Sequence, residues 1–445
     1  MLSVLSHPVY RRLFAAQVIA LLGTGLLTVA LGLLAYDLAG ERAGAVLGTA
    51  LAIKMIAYVA LAPLANAIAE RIPRKALLIG ADLLRASVAV FLPFIDAVWE
   101  IYALIFVLQA ASATFTPAFQ ATIPDILDDE DAYTKALSLS RLAYDLENLI
   151  SPALAGALLL VLSFHWLFAG TMLGFLASAA LVWRTAVPPR RESGKARSFR
   201  ERLTRGTGIY LATPRLRGLL ALNFSAAAAG AFVIVNTVVV VKAGYGASES
   251  DVALALAAFG GGSMAAALAL PRLLQRVADR TVMLAGAGLL ALLTLAYGGV
   301  WLAGGLPGWP AFLAAWAASG ALYSAILTPS GRLLRRSAHA EDRPAVFAAQ
   351  FALSHACWLV SYPVAGQVGD RIGLPAAMLL LGAGALAGVL AARTLWPADD
   401  PEVVPHDHPD LAPDHPHLRQ HGAGGPRHRH VFVIDDEHQA WPARS

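Results

Sequence analysis

The chain is almost without cysteine and poor in charge. Cys357 is the single cysteine among 445 residues, so no internal disulfide can form and no oxidising compartment is implied. Charged residues make up 14% of the chain, against about 25% in an ordinary soluble domain. No Walker-type phosphate loop occurs, so ATP is not expected to drive the chemistry directly, and no zinc-protease pattern lies on a helix. No enzyme signature is left. A cleavable leader is not expected either. The first apolar run, 13–38, is too long for a signal h-region and has no clear cleavage site.

What the chain has in excess is apolar sequence. It is 57% hydrophobic, with a mean hydropathy of +0.60. Folding on itself cannot hide that much apolar surface from water, so lipid is the expected solvent. A spanning helix needs about 20 apolar residues. Twelve runs qualify: 13–38, 45–69, 77–97, 100–123, 137–162, 164–184, 216–241, 251–270, 281–303, 309–331, 344–369 and 374–396. The expected class is an all-α membrane protein.

The connections alternate in charge. Arg11 and Arg12, the segment with Arg71, Arg74 and Lys75, the stretch 184–217, the turn with Arg272, Arg276 and Arg280, and the group Arg332, Arg335 and Arg336 are all basic. Only Arg42, Lys242 and Arg371 fall on the other side. Basic loops stay in the cytoplasm. Both termini and the long central loop are then expected there, which an even number of spans requires.

The two halves repeat. HPVYRRLFAAQ at 7–17 aligns with TPRLRGLLALN at 213–223, with Gln17 and Asn223 in register. Thr116-Pro117 is echoed by Thr328-Pro329. Ser151-Pro152 with Gly156 is echoed by Tyr362-Pro363 with Gly366. The expected organisation is a six-helix bundle over 1–183, a cytoplasmic loop over 184–213, a second six-helix bundle over 214–396 and a His-rich cytoplasmic tail over 397–445. Two pseudo-symmetric bundles of this kind enclose a midline cavity.

The segment NAIAERIPRK at 66–75, between the second and third spans, is similar to the signature loop of the major facilitator superfamily, Gly-x-Leu-Ala-Asp-Arg-x-Gly-Arg-Arg. Both glycines are replaced and Glu70 stands for Asp, while the acid–Arg step and the basic pair are kept. SPALAG at 151–156 resembles the family's antiporter motif Gly-Pro-x-x-Gly-Gly without its leading glycine. The resemblance covers residues 1 to about 396 and is nearest to the macrolide-efflux and nickel-resistance exporters. It implies the major facilitator fold, a bacterial inner membrane and a monomer. It also implies that Glu70, Arg71, Arg74 and Lys75, with Arg276 in the second half, form a cytoplasmic latch between bundles. Those residues equally serve as positive-inside topology signals.

Charges within spans cost about 2.5–3.5 kcal/mol each on insertion scales and so face a cavity or a partner. Lys54, Arg141, Asp145, Glu147 and His355 are of this kind. The family fold places spans two, five, eight and eleven at the bundle interface, so these residues would border the cavity. Asp145, Glu147 or His355 would carry a coupling proton. The alternatives are a structural Arg141–Asp145 pair and a hydrogen-bonded His355. Asp82 and Arg85 are expected to pair with each other or with the adjacent loop.

The tail holds eight of the twelve histidines. His-x-His recurs at 406/408, 415/417 and 428/430, and neutral imidazole suits nickel, cobalt, zinc and copper. His406, His408, His415, His417, His421, His428 and His430 are the candidate ligands, on a flexible tract able to wrap an ion. A solvated tail and a pH-responsive tail are the other two readings. The segment 431–435 reads as a short strand or docking peptide, with Trp441 a candidate anchor.

The leading expectation is a proton-coupled exporter of a divalent metal such as nickel or cobalt. Efflux of lipophilic organic compounds and a non-transporting membrane sensor are the alternatives. Beyond transient metal at the tail no cofactor is expected. The expected partners are the bilayer, the substrate and protons, and no nucleic acid.

Overall fold

The computed structural model describes residues 2–58, 72–127, 130–188, 199–339, 342–408, 415, 417–418 and 427–442. Each of the twelve expected spans coincides with a helix over its described residues, the second one as far as residue 58. The first half contains α1 (Pro8–Ala39), α2 (Ala43–Ile56), α3 (Arg74–Phe91), α4 (Val98–Ile126), α5 (Glu130–Leu159) and α6 (His165–Trp183). A short helix, α7 (Phe199–Ala212), leads into the second half. There follow α8 (Pro214–Val239), α9 (Glu249–Leu273), α10 (Asp279–Gly304), α11 (Trp309–Leu327) with its two-turn extension α12 (Ser330–Arg336), α13 (Arg343–Arg371) and α14 (Leu374–Leu395).

The repeat seen in the sequence is a repeat of helix starts. His7 caps α1, its Nδ1 accepting from the Tyr10 amide at 3.5 Å, and Pro8 occupies the first helical position. Thr213 and Pro214 take the same places at α8. Proline is pre-organised for this position, where its missing N–H has no intrahelical partner to lose. Ser248 and Asp251 form a reciprocal cap on α9.

Within the first bundle α1 packs on α6 and α3 packs on α4 and α6. Within the second, α8 packs on α13 and α14, and α9 on α11. The bundles meet along two seams, α2 with α13 and α5 with α9. The α2–α13 seam is close enough to demand glycine. A Cβ on Gly366 would lie 2.3 Å from the Gly44 carbonyl oxygen, and one on Gly48 would lie 2.6 Å from that of Tyr362. Both contacts lie at the end of the molecule opposite the chain termini. There Arg42 and Asp370 form an ion pair across the seam at 3.4 Å. Outward-facing side chains are apolar, and Trp99, Trp166 and Trp183 stand exposed at helix ends, the placement of membrane-interface anchors.

Asp82 and Arg85, expected near a loop, lie in the core of the first bundle, 0% and 5% exposed. They pair with each other. Ser178 of α6 donates to Asp82 at 2.7 Å, and the Arg85 guanidinium lies 4.4 Å and 4.5 Å from the ring centres of Phe115 and Phe175. This ties α3, α4 and α6 together. A buried charge held this way loses little from leaving water, because ion pairing, a hydrogen bond and two aromatic faces replace its hydration.

Where the described tail begins, the flexible tract expected from composition gives way to structure. Two strands, β1 (Val403–Asp407) and β2 (Arg427–Val431), pair antiparallel with His406 opposite His428. β2 begins four residues before the expected strand. Phe432, Val433 and Ile434 are buried, and the Trp441 ring stands 4.9 Å from that of Phe432.

Candidate functional site

The first group of polar residues lies where α2, α5 and α13 converge. Lys54 of α2 and Glu147 of α5 are near enough to interact as opposite charges. α5 also passes close to α1 here: a Cβ on Gly25 would stand 3.6 Å from Glu147 Cγ. Lys54 Nζ is 5.9 Å from the Tyr58 ring centre. Tyr58 in turn makes edge-on contacts across the seam with His355 at 5.4 Å and Phe351 at 5.8 Å. Period 3.6 puts Lys54 and Tyr58, four residues apart, on one face of α2. The same spacing puts Phe351 and His355 on one face of α13, where His355 Nδ1 lies 2.7 Å from the Phe351 carbonyl. The structure therefore brings together Lys54, Glu147 and His355. The side chains of Arg141 and Asp145 lie outside the described residues.

Of the expected latch, Glu70 and Arg71 lie outside the described residues. Arg74 pairs with Asp125 of α4, in its own bundle. Lys75 is the second residue of α3, and Arg276 lies in the turn after α9.

The second group is the tail. A strand places residues i and i+2 on one face. His406 with His408 and His428 with His430 consequently present four imidazoles to the same side of the β1–β2 pair. His417 and His438 close over them. Two sets of four nitrogens form, each set lying within 4.8 Å: His406, His408, His417 and His438, and His406, His417, His428 and His430. The Nε2 atoms of His438 and His406 are 3.0 Å apart, those of His408 and His438 3.1 Å, and those of His417 and His428 2.9 Å. Burial pushes His406 and His417 down to about 4, with neighbouring histidines adding to the shift. Burial, with His438 and His428, also lowers His408. Burial alone would raise Asp435, but its hydrogen bonds and charge contact with His438 hold it below the usual carboxylate range. His415 stands apart from both sets, its Nδ1 accepting from the His417 amide at 3.3 Å, and His421 lies outside the described residues.

The tail is anchored to the second bundle. Arg205 of α7 reaches Asp342 at 2.5 Å and Asp436 at 2.5 Å. Arg336 and the buried Arg215 converge on Asp400, at 2.5 Å and 3.4 Å. The Arg215 guanidinium lies 5.1 Å from the Trp441 ring centre.

A model of the Major Facilitator Superfamily matches residues 13–240 and again 218–421. The chain belongs to that superfamily. Macrolide efflux protein A of Streptococcus pyogenes is 25% identical over 181 residues, 40% of this chain. The match spans only 44% of that protein's length. An MFS-type transporter of Bacillus subtilis, YfiS, is 25% identical over 332 residues, 73% of this chain and 78% of its own. Among solved structures, a D-xylose-proton symporter superposes with a TM-score of 0.65 at 14% identity, over 88% of this chain and 99% of its own. A bacterial homologue of the lysosomal transporter Spinster, described as inward-facing, gives 0.65 at 14%, over 87% and 97%. Identities this low establish the fold. As a member of that superfamily with many apolar helices, the chain is a multi-pass membrane protein.

These groups also hold residues outside the expected sites. Tyr58 is one, although it stands one turn from Lys54 within the second apolar run. His438 is another, outside the expected ligand set although it lies in the tail. Its signal was Asp435, three residues earlier. Arg205 and His339 are tail contacts that no local pattern marks.

Proposed function

We infer that this transporter is a proton-coupled exporter of lipophilic organic compounds, resident in a bacterial inner membrane with both termini in the cytoplasm. The observation that carries the coupling is the placement of Lys54 of α2 and Glu147 of α5 in one electrostatic neighbourhood beside Tyr58. Opposite charges that face one another inside the bilayer each offset part of the other's desolvation. Protonation of Glu147 removes that compensation and releases Lys54, so one proton changes the forces between two interface helices. Substrate entering from one side and a proton from the other then favour different arrangements of the bundles, the requirement for coupling.

The substrate class follows from what surrounds the pair. Tyr58, Phe351 and His355 supply aromatic faces at the seam, and aromatic walls with few fixed polar groups suit apolar organic ligands. The names of the macrolide efflux relatives agree. The divalent metal that composition put first is less well served here. Lys54 would repel a dication, and His355 has its Nδ1 on the Phe351 carbonyl. Metal export is retained as a second reading because of the histidine cluster in the tail.

The test is growth of an expressing strain in graded erythromycin, ethidium, nickel and cobalt, with and without an uncoupler. Protection against the organic compounds that the uncoupler abolishes supports the first reading. Protection against nickel or cobalt alone moves the assignment to the second, and no protection by any of these contradicts export of both classes.

A further inference from the structure

The tail cluster has a geometry that neutral histidines do not maintain unaided. His406 Nδ1 lies 2.9 Å from the Val404 carbonyl oxygen, and His430 Nδ1 lies 2.8 Å from that of Val431. His438 Nδ1 lies 2.7 Å from the Asp435 carboxylate. These oxygens only accept, so each Nδ1 carries the proton and each Nε2 is left with a lone pair. Yet the Nε2 atoms of His406 and His438 face each other at 3.0 Å. Two lone pairs at that distance repel unless an electrophile sits between them. Imidazole nitrogens around a single ion, bound at about 2.0–2.1 Å, stand roughly 3–3.4 Å apart. The three Nε2–Nε2 separations in the cluster fall at or just below that range.

We propose that His406, His408, His417, His428, His430 and His438 form a transition-metal site in the tail, one that binds a single divalent ion of the nickel, cobalt, copper or zinc type. The donor set is imidazole throughout, which selects these ions over magnesium and calcium. Asp435 does not enter the donor set. It fixes the His438 tautomer and orients the ring, the outer role a carboxylate plays at many histidine metal sites. The two four-nitrogen sets share His406 and His417, so an ion in one set takes two ligands from the other. One tight ion per chain follows, in either of two overlapping seats. A disordered histidine-rich tail would instead take up several ions weakly. The site stands whichever substrate class the transporter exports.

The experiment is titration of the purified full-length transporter in detergent with nickel, and separately with zinc, read by calorimetry and, for nickel, by X-ray absorption. Wild type should bind one ion tightly with a nitrogen-only first shell. The double variant His406→Ala/His417→Ala, which touches both sets, should lose the tight site, while His165→Ala, far from the tail, should keep it. Asp435→Asn should weaken binding about 10–100-fold without changing the stoichiometry. Limited proteolysis of metal-free proteins checks that each variant keeps the docked tail. If the double variant is undocked, His408→Ala and His428→Ala, one from each set, replace it, and each should weaken binding. Several weak ions per chain, a first shell with oxygen or sulfur, or tight binding that survives all these substitutions would overturn the proposal. So would the absence of any tight ion in wild type.

Discussion

Asp435 stands between two histidines that belong to different parts of the transporter. Its Oδ1 is 2.7 Å from Nδ1 of His438, inside the tail cluster, and its Oδ2 is 3.1 Å from Nε2 of His339, on the second bundle. Beside it Asp436 holds Arg205 of α7. One turn of chain therefore joins the cluster to the segment linking the two bundles. Anything that strengthens the His438–Asp435 bond favours the docked tail, and docking favours whatever binds at His438 Nε2, because such couplings are reciprocal.

The first prediction concerns this joint. Asp435→Ala removes the acceptor shared by His438 and His339, and the amides of Glu437 and His438 lose theirs at 3.0 Å and 2.8 Å. Limited proteolysis should release the tail markedly faster than in wild type, while the spans stay resistant.

A second prediction is a pH dependence of docking. His406 and His417 hold pKa values of about 4 in the folded tail, below the ordinary value of about 6.5. The unfolded tail then binds more protons between those limits, so tail stability rises with pH across the window and is lost as pH falls from about 6.5 towards about 4. The groups facing these two rings are His408, His428, His430 and His438, with Asp435 behind His438. The difference in fluorescence between wild type and Trp441→Phe reports undocking and should change over that interval. A signal flat from pH 7 to pH 4 would contradict the assignment.

In the core of the first bundle, Asp82→Ala leaves Arg85 buried without its partner. Stranding one member of a buried pair costs about 3–5 kcal/mol. The melting temperature should fall well below that of Ser178→Ala, which removes one hydrogen bond worth about 1 kcal/mol.

At the seam, Gly366→Val cannot be accommodated without separating α13 from α2, since even a Cβ meets the Gly44 carbonyl. Overpacking of this kind costs about 1–3 kcal/mol. In a background bearing Ala45→Cys, labelling by an impermeant maleimide should be faster when Gly366→Val is present.

Much of this was legible in the sequence for physical reasons. Twenty apolar residues in lipid have one dominant solution, a helix that satisfies its own backbone, so the spans followed from composition. His7-Pro8 and Thr213-Pro214 marked both repeat starts because capping is local. The β1–β2 pairing in the tail was not legible, because Gly and Pro have weak strand preferences and the two strands pair across a long intervening stretch. The His-x-His spacing already held the strand period of two. The proximity of Lys54 to Glu147 needed the fold, since residues far apart in sequence come near each other only in the folded bundle.

The central claim, that Glu147 paired with Lys54 couples transport to protons, is tested most directly in inside-out vesicles. Uptake of ethidium would be followed under an imposed acid-inside gradient, for wild type, Glu147→Gln and Lys54→Met, with melting curves to confirm that each variant is folded. The account predicts gradient-driven uptake by wild type that collapses with an uncoupler. It also predicts loss of at least about tenfold in Glu147→Gln, equivalent to roughly 1.4 kcal/mol of coupling free energy, with substrate binding retained. Gradient-driven uptake by Glu147→Gln at the wild-type rate, or wild-type uptake indifferent to the uncoupler, would contradict it.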